Sequence, residues 1–250
     1  MGTSIDLNCF KRLLKLINLK VLDLSHNLFN DTIFEFVGEI SSLRSLSLAA
    51  NFMGISIDWN NFKSLLKLIN LKVLDLSYNL FNDTILDFVG KISSLRSLSL
   101  ANNYMETSID LNSFKRPSKL INLKVLDLSY NFFNCTIWEF VGEILSLRSL
   151  SLANNYNTGT SIDLNNFKRL SKLINLEVLD LSYNQLNNTI LEFVGEISSL
   201  RSLSLAYNDM GTSIDLNSKF TFMLDLLLQN NNPSRIEKEL VMEFSIIKYI

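Results

Sequence analysis

The stretch Ile17-Asn-Leu-Lys-Val-Leu-Asp-Leu-Ser25 decides the fold, because it returns three times almost unchanged. The recurrences lie at 69–77, 121–129 and 174–182, the last with Glu177 in place of Lys. A second stretch, Ser42-Leu-Arg-Ser-Leu-Ser-Leu-Ala49, recurs at 94–101, 146–153 and 199–206. Both stretches fit one template, Leu-x-x-Leu-x-Leu-x-x-Asn, so each superperiod of 52 or 53 residues holds two repeats.

The composition agrees with a repeat protein. Of 250 residues, 48 are Leu and 30 are Asn, and an apolar content of 47% excludes disorder. A formal net charge of -2 gives no reason to expect nucleic acid or an anionic membrane as a partner. Two Cys exclude a dense disulfide scaffold. No apolar run reaches the roughly 18 residues that a membrane span needs, and the N-terminus lacks the pattern of a secretory signal.

Each template predicts a short β-strand. In Leu22-Asp-Leu24 two Leu alternate with a polar residue, which is typical of a half-buried strand. One repeat cannot bury its own Leu face, so stability must come from neighbouring repeats. We therefore expect an α/β fold in which eight strands stack in parallel into one curved sheet.

The Asn that closes each template forms a structural column. Its amide can both donate to and accept from backbone groups that the bend of the chain leaves unpaired. The column comprises Asn27, Asn51, Asn79, Asn103, Asn131, Asn155, Asn184 and Asn208.

The longer repeat also predicts a helix on the convex side. Phe62, Leu65, Leu66 and Ile69 fit one helical face. Equivalent helices are expected near Phe114 and Phe167, the first shortened by Pro117.

The domain boundaries follow from the repeat register. Residues 1–18 form a partial repeat, 19–223 form eight repeats of alternately 24 and 28–29 residues, and 224–250 are irregular. Ser234-x-x-Glu237 can cap a terminal helix within that last segment. The chain begins in mid-repeat, which favours an internal fragment or a truncated gene product of a larger protein.

The sequence offers no catalytic, metal or cofactor site. The single His, His26, stands where sister repeats have Tyr. Asp23, Asp75, Asp127 and Asp180 are in phase, about 9 to 10 Å apart at two strand spacings. Structural repetition explains this column better than chemistry does. Cys9 and Cys135 lie about five strand spacings apart, too far for a disulfide.

The concave face of the predicted sheet carries the candidate binding residues. One column is basic, one alternates Asp and Ser, and one is aromatic, and Tyr and Arg are enriched at binding hot spots. The near identity of the columns from repeat to repeat favours recent duplication over a site tuned to one ligand. The candidates are Lys20, Asp23, His26, Arg44, Lys72, Asp75, Tyr78, Arg96, Lys124, Asp127, Tyr130, Arg148, Asp180, Tyr183, Arg201 and Tyr207.

Four Asn-x-Thr sequons occupy one phase, just beyond the strand, where a glycan would project from the flank. They begin at Asn30, Asn82, Asn134 and Asn187. Because one ancestral sequon can have been copied with the repeat, the four count as roughly one observation.

This template resembles the leucine-rich repeat family over nearly the whole chain. The shorter repeat is similar to the plant-specific class, since Asn27, Ile33, Gly38 and Ile40 match its tail. Two positions depart from that class. Its first Gly is replaced by Asp31, Asp83, Cys135 and Asn188, and its Pro by Phe34, Leu86, Trp138 and Leu191. Alternation of 24 and 28 residues resembles plant receptor-like proteins of the cell surface.

The resemblance implies a right-handed solenoid that binds a protein or peptide on its concave face. It also implies a location on the extracellular side of the plasma membrane, no catalysis, no cofactor, and signalling in defence or development through a partner receptor kinase. Three alternatives stay open: a secreted inhibitor similar to polygalacturonase-inhibiting proteins, the repeat region of a receptor kinase, and a non-functional truncated product.

Overall fold

The computed structural model describes residues 12–55, 59–106, 120–134, 136–155 and 168–211. In these ranges, eight three-residue strands form one parallel sheet in chain order, which confirms the predicted architecture. Leu22 pairs with Leu46, and Leu46 with Leu74, so equivalent residues stand side by side. The strands are β1 (Val21–Asp23), β2 (Ser45–Ser47), β3 (Val73–Asp75), β4 (Ser97–Ser99), β5 (Val125–Asp127), β6 (Ser149–Ser151), β7 (Val178–Asp180) and β8 (Ser202–Ser204).

The two sides of the sheet differ as the alternation predicts. Leu46, Leu74 and Leu98 are fully buried and belong to one continuous apolar core. Val73 and Val125 are also buried, yet they lie outside that core cluster. They alternate with the core Leu and therefore face the opposite side of the sheet, which we call the concave face.

Helical turns occupy the other side of the core. The structure has α1 (Ile33–Val37), α2 (Trp59–Lys63), α3 (Ile85–Val89), α4 (Ile137–Val141) and α5 (Ile190–Val194). Within the described ranges, 3-10 turns cover Leu13–Lys15, Ser64–Lys67 and Leu170–Lys172.

The predicted helix of the longer repeat exists, but its buried face is different. Phe62, Leu65 and Leu68 are buried, whereas Leu66 and Ile69 are exposed. The reason is that α2 continues as a 3-10 turn, whose period of three residues aligns positions i, i+3 and i+6. The helices expected near Phe114 and Phe167, with Pro117, lie outside the described residues.

The helical turns of the shorter repeats were not predicted. Each begins after a sequon, where the side-chain carbonyl of the Asn accepts bonds from the Thr two residues on and closes a turn. The residue at the class's Pro position then points into the core: Phe34, Leu86, Trp138 and Leu191 are all nearly or fully buried. Gly38 follows α1, and no larger residue fits there because a Cβ would lie 2.5 Å from the Ser64 carbonyl oxygen.

The Asn column joins consecutive repeats. Asn51 Nδ2 donates to the carbonyls of Leu24 (3.1 Å), Leu48 (3.0 Å) and Ala49 (3.1 Å). Its Oδ1 accepts the N–H of Phe29 at 2.9 Å, and Phe29 belongs to the preceding repeat. Asn27, which begins the column, is exposed, and among the described residues it bonds within its own repeat. Residues 1–11 and 212–250 lie outside the described ranges, so the proposed partial repeat and C-terminal segment stay predictions.

Candidate ligand-binding face

Two rows of side chains border the strands on the concave face. The basic column precedes each strand, and a column of residues in the left-handed conformation follows it. Between them lies the Asp/Ser column, formed by Asp23, Ser47, Asp75, Ser99, Asp127, Ser151, Asp180 and Ser204.

Backbone bonds fix the spacing of the basic column. Arg44 N donates to the Lys20 carbonyl at 2.7 Å, Lys72 N to that of Arg44 at 2.8 Å, and Arg96 N to that of Lys72 at 2.8 Å. The same bonds continue through Lys124, Arg148, Glu177 and Arg201. The backbone of the column is therefore a rigid row in which one basic residue follows another at each strand.

The charges of the basic column are unequally compensated. Glu177 stands between Arg148 and Arg201, and its carboxylate lies 3.4 Å from the first and 3.7 Å from the second. The five cations before them form no ion pair among the described residues: Lys20, Arg44, Lys72, Arg96 and Lys124. All are exposed except Lys72, which is half-buried.

The predicted Asp candidates turn out to shape the ends of the strands. Asp75 Oδ1 accepts both the N–H (3.0 Å) and the hydroxyl (2.7 Å) of Ser77. Asp23, Asp127 and Asp180 make the same pair of bonds with the Ser two residues on. Burial raises the pKa of Asp127, while its bonds to Ser129 lower it. These carboxylates have a structural role that explains their repetition.

The aromatic candidates occupy a strained backbone position. The φ angles of His26, Tyr78, Tyr130, Tyr183 and Tyr207 lie between 54° and 56°. Bulky residues rarely adopt this region, which costs on the order of 1–3 kcal/mol. All five side chains are exposed, and Tyr183 stacks on Tyr207 with centroids 4.2 Å apart. The left-handed turn therefore presents them to solvent in one row.

Sequence reasoning missed a second apolar row beside this one. It consists of the residues directly after the Asn column, which we call the outer apolar column: Leu28, Phe52, Leu80, Tyr104 and Phe132. All except half-buried Leu80 are exposed, and Tyr104 stacks on Phe132 at 6.3 Å. The signal was present in the sequence, because an apolar residue stands at this variable position in five successive repeats.

The sequons lie beyond this row. Asn30, Asn82 and Asn187 are exposed and Asn134 is half-buried. In each, Oδ1 accepts bonds from the N–H and the hydroxyl of the Thr two residues on. The carboxamide is thus held in one orientation at the flank.

Neither a metal cluster nor a membrane span is found in the described ranges. They contain no group of three His, Cys, Asp or Glu side chains able to hold a metal ion. Within the same ranges, no helix has the length and apolar content of a membrane span.

Comparison with protein families identifies the repeat. The family described as Leucine Rich Repeat matches residues 18–40, 70–92, 122–143 and 175–197. Receptor like protein 21 of Arabidopsis thaliana is 35% identical over 154 residues, 60% of this chain and 15% of the relative. Receptor-like protein EIX1 of Solanum lycopersicum is 32% identical over 211 residues, 78% of this chain and 18% of the relative. An adenylate cyclase of Schizosaccharomyces pombe is 29% identical over 192 residues, but these make up only 10% of that protein. The chain thus spans less than a fifth of the length of these relatives.

Solved structures agree with the fold. The ectodomain of the Arabidopsis thaliana receptor kinase GASSHO1/SCHENGEN3, in complex with CASPARIAN STRIP INTEGRITY FACTOR 2, has a TM-score of 0.62 and 29% identity. The match covers 84% of this chain and 24% of that one. The plant peptide hormone receptor RGFR1, in complex with RGF2, has a TM-score of 0.56 and 25% identity, covering 87% of this chain and 36% of that one.

Proposed function

Because this chain belongs to the leucine-rich repeat family and its relatives include plant receptor-like proteins, we propose that it is a ligand-binding segment of such a receptor's ectodomain. The observation that carries the proposal is the concave face itself. There the Lys and Arg of the basic column and the Tyr of the left-handed column stand in rows on a hydrogen-bonded sheet. Because the sheet fixes the backbone positions of these residues, binding requires little ordering of the main chain.

The ligand is a peptide or protein. Two of the similar ectodomains are solved with a second molecule bound, and one of these two, RGFR1, is a plant peptide hormone receptor. The exposed tyrosines favour the same class, because Tyr offers a large contact area at low entropic cost. The receptor would be located at the plasma membrane, with this segment outside, and would signal through a partner receptor kinase.

The test uses a random peptide library selected against the chain expressed with a secretion leader. The concave variant replaces Tyr78 and Tyr130 with Asn, the residue that Asn102 and Asn154 supply at the same left-handed position. The fold should therefore tolerate the change. The control replaces Ile69 and Ile121 with Asn, since both side chains are exposed and precede the strands rather than follow them.

Selected peptides should bind the concave variant at least ten-fold more weakly and the control variant with unchanged affinity. Equal affinity for both variants would refute the assignment of the concave face.

A further inference from the structure

We propose that the peptide or protein ligand of the concave face carries an acidic segment that lies in extended form across the strands, over the basic column from Lys20 to Lys124. This inference rests on the function proposed above and names the chemistry of its ligand.

The first argument is the local surplus of positive charge. The chain as a whole has 25 acidic and 23 basic residues, so carboxylates are available to pair with these cations. On the helical side such pairing occurs: Glu39 binds Lys67, and Glu143 lies 3.2 Å from Arg169 and 3.5 Å from Lys172. The five cations of the basic column form no such pair within the described part of the chain, so their charge is available to an anionic partner.

The second argument is that the surplus of positive charge ends at one position of the basic column. At Glu177 the sister repeats have Lys20, Lys72 and Lys124, so the exchange reverses the charge at one position of the column. Its carboxylate engages the arginines on both sides. The acceptor surface is therefore a finite site rather than a stripe along the whole solenoid.

The size of the site suits a short peptide. Five cations on adjacent strands span four strand spacings, about 19 Å. An extended peptide advances about 3.3 Å per residue, so roughly six residues cover that distance and present three side chains toward the column. Lys and Arg are long enough to reach acidic groups at a slightly different spacing.

The Asp/Ser column limits how far along the strand direction the acidic side chains of the peptide can lie. Asp75, at the end of β3, lies three residues beyond Lys72, which precedes that strand, so the two are about 10 Å apart. Carboxylates at this second column repel a further row of anions, so the acidic side chains can lie only over the basic column. A long polyanion, such as nucleic acid or an acidic polysaccharide, would be repelled by the carboxylates of this column and by the net charge of -2 of the chain.

The test measures binding of fluorescein-labelled probes by anisotropy. The first probe is an octapeptide of alternating Glu and Thr, and its counterpart has alternating Lys and Thr. Fluorescein-labelled oligogalacturonate and fluorescein-labelled single-stranded DNA are measured by the same assay.

Two charge-reversal variants are matched in net charge. The concave variant carries Arg44→Glu, Arg96→Glu and Lys124→Glu, and the control carries Lys15→Glu, Lys63→Glu and Lys168→Glu. All six side chains are exposed. A third variant, Glu177→Lys, restores the sister residue and joins Arg148 and Arg201 to the column.

The Glu-Thr probe should bind and the Lys-Thr probe should not. Affinity should fall at least ten-fold in the concave variant, change less than two-fold in the control, and rise at least three-fold in Glu177→Lys. Affinity should also fall as salt is raised, because exposed charges are screened.

Equal effects of the two triple variants, or no gain from Glu177→Lys in a folded protein, would overturn the inference. So would tight binding of oligogalacturonate or DNA without binding of the acidic peptide. If library peptides depend on Tyr78 and Tyr130 but ignore the charge reversals, the acidic class is wrong and the proposed function stands. If no peptide depends on either row, both fail.

Discussion

Replacing a single Asn in the middle of the Asn column should destabilise the protein far more than replacing the first. Asn103 is 3% exposed. Its Nδ2 donates to the carbonyls of Leu76 (3.1 Å), Leu100 (3.0 Å) and Ala101 (3.2 Å), and its Oδ1 accepts the N–H of Phe81 at 3.0 Å. Asn103→Ala removes all four bonds at once.

The magnitude follows from what each partner retains. Each of the three carbonyls retains another hydrogen bond after the substitution. The Leu76 carbonyl still accepts from Asn79 Nδ2, the Leu100 carbonyl from Asn131 Nδ2, and the Ala101 carbonyl from the N–H of Tyr78. The Phe81 N–H loses its hydrogen bond and is left buried, which costs about 1–3 kcal/mol. With a few tenths for each weakened carbonyl, we expect a total loss of about 2–4 kcal/mol.

Asn27 supplies the matched control. It makes two bonds within its own repeat and is exposed, so water can replace its amide. Asn27→Ala should therefore cost less than about 1 kcal/mol. Urea unfolding followed by circular dichroism measures both variants, with the m-values compared to check that the unfolding transition is unchanged. Equal losses for the two variants would refute the reasoning that the bonds between repeats carry the stability.

Three further predictions concern other parts of the molecule. Fused to a secretion signal and expressed in plant cells, the protein should gain mass in up to four steps, which a glycan-removing enzyme should reverse. The steps correspond to glycans on Asn30, Asn82, Asn134 and Asn187. Secretion with every sequon unmodified would contradict their assignment to the flank. Gly38→Ala should cost about 1–3 kcal/mol in thermal unfolding, because its Cβ would meet the Ser64 backbone, while Gly211→Ala, with its nearest atom 3.8 Å away, should change stability by less than about 0.5 kcal/mol. Burial, followed by repulsion from Glu106 and Asp87, raises the pKa of Asp83, whose Oδ2 has no hydrogen-bond partner among the described residues. Because folding raises this pKa, the Asp83 carboxyl contributes fully to the free energy of unfolding at pH values below its unfolded pKa. This contribution is lost as the pH rises through its folded pKa. Asp83→Asn should accordingly stabilise the protein by about 1 kcal/mol at pH 7 and have little effect at pH 3, in urea titrations at the two pH values.

The parallel sheet could be predicted from the sequence because its cause is local. Each Leu-x-Leu alternation fixes which side of a strand is buried, and equal spacing brings Leu22, Leu46 and Leu74 into register. The basic column and the aromatic column follow from the same register. Their positions on the concave face needed no information beyond the repeat.

The remaining features depend on contacts between repeats that the pattern does not encode. Leu66 and Ile69 were expected in the core, but the change from α to 3-10 geometry after Lys63 exposes them. The helical turn at Ile33 was missed because Phe34 stands where the plant-specific class of repeat has Pro. The burial of Phe34 depends on the next repeat, since the ring centroid of Phe62 lies 4.2 Å from that of Phe34. The surplus charge of the basic column also required coordinates, since a sequence does not show which carboxylates reach which cations.

The Asn column has a consequence for how such a gene can change length. The side chains of Asn51, Asn79 and Asn103 each form hydrogen bonds with a Leu carbonyl and an N–H of the preceding repeat. At these three junctions the bonded residues hold equivalent positions in the repeat. Unequal recombination between near-identical units 52 residues apart joins a repeat to a copy of its usual neighbour. The new junction then finds the same bonds that the junctions at Asn51, Asn79 and Asn103 have. A solenoid built this way can gain or lose whole units in one genetic event without passing through a misfolded intermediate, so its length can diverge between lineages faster than its core.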